Sequence, residues 1–511
     1  MRFFAGGHLC IFCSGEASCR SLARQYAARS VPGYAAGSEK ADGDTMVLEK
    51  HFPSQRYAWS LVFVLFCASV VSYLDRYILS LFVGPIRGEL GLSDTQVSLL
   101  QGAAFALFYA VMGLPFGRLV DRYTRKNLIV AGILVWSAMT MLCGVSTSFW
   151  QLFFARMGVG VGEACLGPAA FSMIADSFPQ ARRGRALATY NMSNYVGVGA
   201  SLLFGGLIIS LLSHANNSGF LHMPGVQSWR IAFIASALPG VLLAFVVLTL
   251  KEPARTELVC TNSGSSSNAF SLWSYLRARK PAFASVYTVY ALTAMVGYII
   301  VAWAPSFYMR HFHMRPADVG LSMGVLSIVA GVGGCLFSGY LSDRWVAAGA
   351  HGGRFRIPLL WWPIALVSIV GITHSPNATA SLICLGVLAF GSALGLSSAP
   401  AVIQDVVPNQ LRGQAAALHF IFAGLIGLSL GPTAVAIVTD YVLHDASQVG
   451  VSLQIVIVPL SLVGFAACWL GQSRYHTVRA ELVAMLENKA ADTLPKPGHV
   501  SDACNPGQQA R

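Results

Sequence analysis

Charge is what this chain has least of. Only 11% of its 511 residues are Asp, Glu, Lys or Arg, against about 25% in soluble domains. Meanwhile 55% are hydrophobic, and the mean hydropathy is +0.59. That balance implies a polytopic membrane protein. Also missing is a phosphate-cradling P-loop, which excludes an ATP-driven pump, and so are the His-Glu-x-x-His, Gly-x-Ser-x-Gly and paired catalytic motifs of membrane enzymes. No enzyme activity and no cofactor are expected. Cysteines are scattered: Cys67, Cys143, Cys165, Cys335, Cys384 and Cys468 sit in apolar runs, where they pack as small apolar side chains. None falls in a loop read as outside, so no disulfide framework is expected. Cys10-x-x-Cys13 with Cys19 lacks the second ligand pair of a zinc site, so no metal is expected.

What is present is a series of twelve apolar runs, at 59–84, 94–117, 128–148, 150–174, 185–213 and 229–250, then 281–309, 317–341, 357–375, 378–403, 411–440 and 449–471. Each is long enough to cross a bilayer as a helix. The net charge of +12 does not mark a nucleic-acid partner, because the basic residues gather in alternate short loops. Arg118, Arg122, Arg125 and Lys126 separate spans 2 and 3; Arg182, Arg183 and Arg185 separate spans 4 and 5; Arg344, Arg354 and Arg356 separate spans 8 and 9. Loop 7–8, with Arg310 and Arg315, runs against the bias. By the positive-inside rule both termini are cytoplasmic.

The domain reading follows. Residues 1–56 form a cytoplasmic N-terminal extension, either a targeting segment, a disordered extension, or a misassigned start with Met46 as the initiator. Residues 57–250 and 281–472 form two six-helix bundles. The cytoplasmic linker 251–280 has a Ser-rich centre, and Phe270, Leu272, Trp273 and Leu276 are spaced for a short helix on the membrane surface. In the cytoplasmic tail 473–511, Val478, Leu482 and Met485 mark a modest amphipathic helix. Asn216-Asn217-Ser218 and Asn377-Ala378-Thr379 are glycosylation acceptor patterns in loops read as outside.

The two halves repeat. Gly117-x-x-x-Asp121-Arg122 ends span 2 and Gly339-x-x-x-Asp343-Arg344 ends span 8. Asp176-x-x-Pro179-x-x-x-Arg183-Gly184-x-Ala186 recurs as Asp405-x-x-Pro408-x-x-x-Arg412-Gly413-x-Ala415. Two motifs in the same order, each in the corresponding loop, imply a parallel repeat about an axis along the membrane normal, able to rock around a midplane site. The loop aspartates and arginines can form ion pairs between the halves, a latch broken as the cytoplasmic side opens. Topogenic charge alone explains the arginines but not the aspartates or their spacing.

Gly117-x-x-x-Asp121-Arg122-x-x-Arg125-Lys126 resembles the signature loop of the major facilitator superfamily, with Thr124 where that family usually has Gly. Arg156-x-Gly158-x-Gly160-x-Gly162-Glu163 resembles its fourth-helix motif. Ser72-Tyr73-Leu74-Asp75-Arg76, Leu92-Ser93-Asp94-Thr95-Gln96, Gly158-Val-Gly-Val-Gly162-Glu163-Ala164 and Ala302-Trp303-Ala304-Pro305-Ser306-Phe307 resemble the Spinster branch. The likeness covers roughly residues 57–472. It implies an all-α membrane protein with twelve helices in two pseudo-symmetric bundles, and a branch whose animal members export lysophospholipids or sphingoid lipids.

Asp75, Arg76, Arg156 and Glu163 are the deep charged residues, all in the first half. A charge at the bilayer centre costs about 2.5–3.5 kcal/mol on insertion scales, so the four must face partners or water. Arg156 and Glu163 lie two turns apart on one helix face, and the intervening glycines let a neighbouring helix come close. Two acids and two bases cancel if spans 1 and 4 pack together. Two readings stand: an inert buried cluster, or a switch in which protonation of Asp75 or Glu163 frees Arg76 or Arg156 to change partner. Candidate cavity residues are Tyr73 beside the pair, Tyr190, Asn191 and Asn194 on span 5, Tyr298 and Trp303 on span 7, and His419 on span 11; for the aromatics a packing role is the alternative. A chamber charged on one side and apolar on the other suits an amphipathic ligand. The expectation is a proton-coupled secondary transporter of a lipid-like or organic anionic solute, working by alternating access as a monomer among membrane lipids, in the plasma (inner) membrane rather than an organelle. Alternatives are a small-carboxylate or drug transporter, and a non-transporting membrane sensor.

Overall fold

The computed structural model describes residues 52–217, 227–253, 272–348, 353–408 and 411–493. The extension before residue 52, the Ser-rich linker centre and Ser218 of the first acceptor pattern lie outside the described residues. Among those residues there is no strand, and twelve helices are long and apolar enough to cross a bilayer: Gln55–Leu81, Asp94–Gly113, Arg125–Val145, Phe149–Ser177, Arg182–Leu212, Ser228–Thr249, Lys280–His311, Pro316–Ala347, Gly353–His374, Ala378–Asp405, Arg412–Leu443 and Ala446–Met485. We number these spans 1–12. Large side chains such as Phe63, Leu242, Val329 and Val367 point outward, as a lipid-facing surface requires.

Several spans are broken where an apolar run reads as continuous. Span 1 is helical over Gln55–Tyr77, tightens to a 3₁₀ turn over Ile78–Leu81, and leads into a short helix, Val83–Leu90. Gly91, at φ 65°, closes that helix in the left-handed conformation that glycine adopts without steric cost. Span 2 splits at Gly102, and span 5 breaks at Met192, between Asn191 and Ser193. Span 11 passes through a π-helical stretch, Ala423–Leu430. Spans 2 and 11 cross at their breaks: a Cβ on Gly102 would lie 2.3 Å from the Leu428 carbonyl oxygen.

The first six spans and the last six meet along two seams. Beside the span 2–span 11 crossing, spans 5 and 8 approach through glycine. A Cβ on Gly199 would lie 2.6 Å from the Gly324 carbonyl oxygen, and one on Gly320 would lie 2.6 Å from that of Leu202. We call the end carrying the repeated loop motifs the motif end, and the other the far end.

One helix limit differs from the sequence reading. The tail does not separate after Gly471, because one helix runs from Val449 to Thr493. Tyr475, Val478 and Leu482 keep a buried face on it, and Tyr475 stacks on Phe355 at 4.9 Å. Without a Pro or a turn sequence after Gly471, the apolar face of span 12 simply continues. In the linker a short helix forms over Leu272–Ala278, with Tyr275 and Leu276 buried and Trp273 exposed.

Span 4 shows how its glycines act. A Cβ on Gly160 would lie 2.6 Å from the Phe105 carbonyl oxygen of span 2, and one on Gly162 would lie 2.7 Å from the Trp136 amide nitrogen of span 3. Gly160→Ala is therefore expected to lower stability by about 1–3 kcal/mol through overpacking against rigid backbone. Gly184→Ala, where nothing lies within 4 Å, should instead raise it slightly through helix propensity. Thermal unfolding in detergent measures both, and equal melting temperatures for the two variants would refute the close-approach argument.

Candidate functional site

None of the four deep charges faces lipid: Asp75 and Arg156 are 0% exposed, Glu163 1% and Arg76 8%. They do not form one four-membered cluster. Arg76 pairs through Nη2 with Oε2 of Glu163, which also accepts from Ser72 Oγ at 2.6 Å. Arg156 binds no carboxylate. Its nitrogens donate to backbone carbonyls, Leu100 at 3.3 Å, Asp75 at 3.0 Å and Arg76 at 2.8 Å. Arg156 is thus a clamp on the backbone of span 1, at the turn where the α-helix gives way to the 3₁₀ segment and carbonyls lose their helical partners. The Asp75 carboxylate has no hydrogen-bond partner at either oxygen. The expected mutual cancellation therefore corrects to one ion pair, one arginine held by carbonyls and one unpartnered acid.

The Arg76 guanidinium is boxed by rings. It lies 4.1 Å from the centroid of Phe105, 4.8 Å from Tyr73 and 5.2 Å from Tyr109. Desolvated cation–π contacts are worth about 2 kcal/mol, so the box holds the arginine independently of Glu163. Beyond Arg76 opens a narrow cleft lined by Arg76, Tyr77, Ser80, Gln101, Tyr298, Ala302, Leu428 and Pro432. Spans 1 and 2 of one half and spans 7 and 11 of the other supply its walls. The side-chain amide of Gln101 is buried there without a partner.

A larger cavity, with an empty volume of about 860 Å³, adjoins it through the shared Tyr77 and Tyr298. Its wall is mostly aliphatic, from Val198, Leu202, Ile300, Met323, Leu326 and Leu388, with Asn194, Tyr195, Ser327 and Ser392 as the polar points. One end of the combined space carries a guanidinium, and the large chamber at the other is mostly aliphatic.

The sequence-derived cavity residues separate into two groups. Asn194 and Tyr298 line the large cavity, and Tyr73 stacks on Tyr77 and covers Arg76. The others lie elsewhere. Tyr190 is buried edge-on against Phe171, and Asn191 is exposed, because the break at Met192 ends its helix. Trp303 is fully buried and donates to the Pro432 carbonyl at 2.9 Å. His419 is buried edge-on to Tyr290, with Nδ1 lacking a partner, and lines neither cavity.

At the motif end, the loop pairs seen here stay within a half. Arg125, 0% exposed, meets Asp176 and Glu252, with Ser172 Oγ at 2.8 Å and the Pro253 carbonyl at 2.6 Å. The second half repeats this with Arg354, which opens span 9 as Arg125 opens span 3 and binds Asp405 at 2.7 Å. Arg344 donates to Tyr340 on its own helix, and Arg412 to the Val407 carbonyl. Asp121, Arg122 and Asp343 are exposed, and Arg183 is half-buried on the Gln180–Asn191 helix. Cβ atoms on Gly117, Gly339, Gly184 or Gly413 would meet nothing within 4 Å. The bonds of Arg125, Arg344, Arg354 and Arg412 named here thus each lie within one half, where the sequence reading expected a latch across the two.

Polar bonds between the halves stand at the far end instead. Asp94, 0% exposed, takes a bidentate pair from Arg310 at 2.7 and 2.8 Å, and a third contact from Arg87 at 3.3 Å. Asp440 accepts from both the backbone N–H and the hydroxyl of Thr95 at 2.7 Å. Thr95 is in the first turn of a helix whose Ser93–Gln96 capping box is complete, so a carboxylate of the second half caps a helix of the first. In the sequence Asp94 stood only as part of a family motif and Arg310 only as a charge against the topogenic bias, and Asp440 at the end of span 11 was not singled out. The signal for the first of them was the Ser93-x-x-Gln96 capping pattern. Phe105 and Tyr109, one turn apart on span 2, were missed because such a pair in an apolar run reads as packing.

Comparison with known proteins agrees with this architecture. The family model of the Major Facilitator Superfamily matches residues 65–432. An MFS-type efflux pump of Mycolicibacterium smegmatis is 32% identical over 441 residues, covering 85% of this chain and 96% of that protein. A probable L-galactonate transporter of Escherichia coli is 26% identical over 76% of this chain and 84% of its own length. Protein spinster of Drosophila melanogaster is 26% identical over 76% of this chain and 63% of its own length. Among solved structures, a bacterial homologue of the human lysosomal transporter Spinster, in an inward-facing and occupied conformation, superposes with a TM-score of 0.66 at 24% identity, over 83% of this chain and 97% of that one.

Removing one partner of a buried pair leaves the other charge uncompensated, at about 3–5 kcal/mol. Glu163→Gln should therefore lower the melting temperature markedly, while Arg76→Met combined with Glu163→Leu should recover most of the loss. A double variant as unstable as Glu163→Gln alone would show that the ion pair is not what holds spans 1 and 4 together.

Proposed function

The chain belongs to the major facilitator superfamily, in its Spinster-like branch, and on that premise we propose that it is a proton-coupled secondary transporter of an amphipathic organic anion. The observation that carries this reading is the combined cavity, with Arg76 at one end and an aliphatic chamber at the other. The guanidinium takes the anionic headgroup, and the chamber beside Leu326 and Leu388 takes the apolar tail. Arg76 is held by Glu163 in the resting site, so an incoming anion competes with that carboxylate. Protonation of Glu163 or Asp75 changes the balance and couples proton movement to binding. Arg156 stays on the carbonyls of Asp75 and Arg76 and transmits the change to the backbone of span 1.

Alternating access follows from the asymmetry of the two ends. With the termini cytoplasmic in the inner membrane, the Asp94–Arg310 and Asp440–Thr95 contacts close the outer side. The open motif glycines, Gly117, Gly339, Gly184 and Gly413, belong to an unlatched cytoplasmic side. In the opposite state the loop arginines and aspartates engage across the halves and the outer contacts part. A second reading, transport of a small sugar acid, rests on the cleft beside Arg76, whose Gln101, Ser80 and Tyr298 suit a hydroxylated carboxylate. It also fits the galactonate transporter among the relatives.

Purified protein in proteoliposomes under an imposed pH gradient tests both readings, with a radiolabelled anionic lysophospholipid and labelled galactonate as probes. The proposal expects gradient-driven uptake of the lysophospholipid, lost in Arg76→Gln and uncoupled from the gradient in Asp75→Asn or Glu163→Gln. Full coupling in both acid variants would overturn the switch; uptake of galactonate alone would replace the substrate class. Separately, Asp94→Asn with Asp440→Asn should favour the outward-open state. Faster labelling of a cysteine introduced at Ser80 by a membrane-impermeant maleimide measures that shift, and unchanged labelling refutes the outer closure.

A further inference from the structure

Span 1 presents two different settings on opposite faces. Arg76 lines the space between the halves and pairs with Glu163. The Asp75 carboxylate turns the other way, toward Thr140 of span 3 and Ser236 of span 6 inside its own half. Both carboxylate oxygens, Thr140 Oγ1, Ser137 Oγ and Trp136 Nε1 are buried with no hydrogen bond of regular geometry, although the Thr140 and Ser236 hydroxyls lie within reach of the carboxylate. Ser236 gives its hydroxyl proton to the Phe233 carbonyl at 2.9 Å and keeps its lone pairs free. Trp136 and Thr140 are one turn apart on span 3, and Ser236 and Gly240 one turn apart on span 6. A Cβ on Gly240 would lie 2.2 Å from Ser137 Oγ and 3.7 Å from Trp136 Nε1, so these groups converge where glycine leaves the side chain out.

A buried polar group left unsatisfied costs about 1–3 kcal/mol. An indole N–H and two hydroxyls along one stretch of span 3, with the Asp75 carboxylate against Thr140, are served by an occupant that bonds several of them. The carboxylate only accepts when ionised and the indole only donates. Water does both; a metal cation has nothing to accept the indole proton. The other charged or titratable groups around Asp75 are Arg156, Glu163 and the Cys143 thiol. Arg156 is committed to the Asp75 and Arg76 carbonyls and Glu163 to Arg76, so neither covers the carboxylate.

We propose that Trp136, Ser137, Thr140 and Ser236 enclose a water site behind span 1, through which Asp75 exchanges its proton from within the first half and not from the substrate cavity. This rests on the reading of Asp75 as a coupling acid. It gives proton and anion separate routes to one turn of helix: the anion meets the Arg76 side and the proton the Asp75 side. Trp136, Ser137 and Thr140 are positioning residues, acting through the water they hold.

Infrared difference spectroscopy of the full-length protein in lipid, titrated with pH in light and heavy water, needs no substrate. The protonated carboxyl band lost in Asp75→Asn is the reporter. Thr140→Val with Ser137→Ala, nearly isosteric and checked by thermal melting, is expected to shift that band and slow its hydrogen–deuterium exchange about tenfold. That is the effect of about 1.4 kcal/mol added to the exchange barrier, the size of one hydrogen bond. Trp136→Phe should move the band in the same direction. A band unchanged in position and exchange would overturn the water site while leaving Asp75 as the coupling acid. A band that responds to sodium chloride but not to choline chloride would replace water by a cation. No Asp75 band at any pH would remove the coupling reading itself.

Discussion

The structure depends on keeping charge inside the membrane without exposing it to lipid. Arg76 and Glu163 achieve this as a pair, with Ser72 taking part on the carboxylate and three rings closing over the guanidinium. Each ring and each hydrogen bond needs a helix at a fixed distance. The glycines of span 4 set those distances, because Gly160 brings span 2 to backbone contact at Phe105, whose ring lies over Arg76. Moving Phe105 away would strip the guanidinium of its best face. The ion pair and the helix packing are therefore one constraint seen from two sides.

Hydropathy made the spans legible, since a run long enough to cross lipid has few other uses. The breaks were not legible. Gly102 inside an apolar run reads as one more small residue, and its role appears only when the Leu428 carbonyl oxygen is found 2.3 Å from where its Cβ would be. The same is true of Met192, where the loss of helical phase turns Asn191 outward while Asn194 reaches the cavity. Periodicity assumed a straight helix across both asparagines. Phase is a property of the backbone, which a local tertiary contact can reset.

At the charged residues, sequence could say that four side chains needed partners but not which. Arg156 illustrates the limit. Balance of charge pointed to carboxylates, whereas the end of a regular helix offers carbonyls with no intrahelical donor, and five-donor arginine satisfies three of them. The repeat was more informative than the composition. Asp176 and Asp405, aligned by motif, both bind the arginine that opens the preceding span, Arg125 and Arg354. Motif identity thus marked equivalent positions, while the choice between partners inside a half and across it depends on the conformation.

The two seams between the halves differ in kind, and that difference bears on the proposed rocking. At the far end the contacts are directional: a bidentate Arg310–Asp94 pair, and a helix N-terminus capped by Asp440. Such bonds either hold or break, which suits a gate. Between spans 5 and 8 the contact is apolar: glycine meets backbone at Gly199, Gly320 and Gly324, with the Ile328 side chain packed on Gly199 and that of Leu203 on Gly324. Side chains held there by van der Waals contact can shift by small amounts without any hydrogen bond being exchanged. A fulcrum needs that property and a gate needs its opposite. On the proposed reading, the chain has placed each where the motion requires it, with the buried Arg76 pair between them.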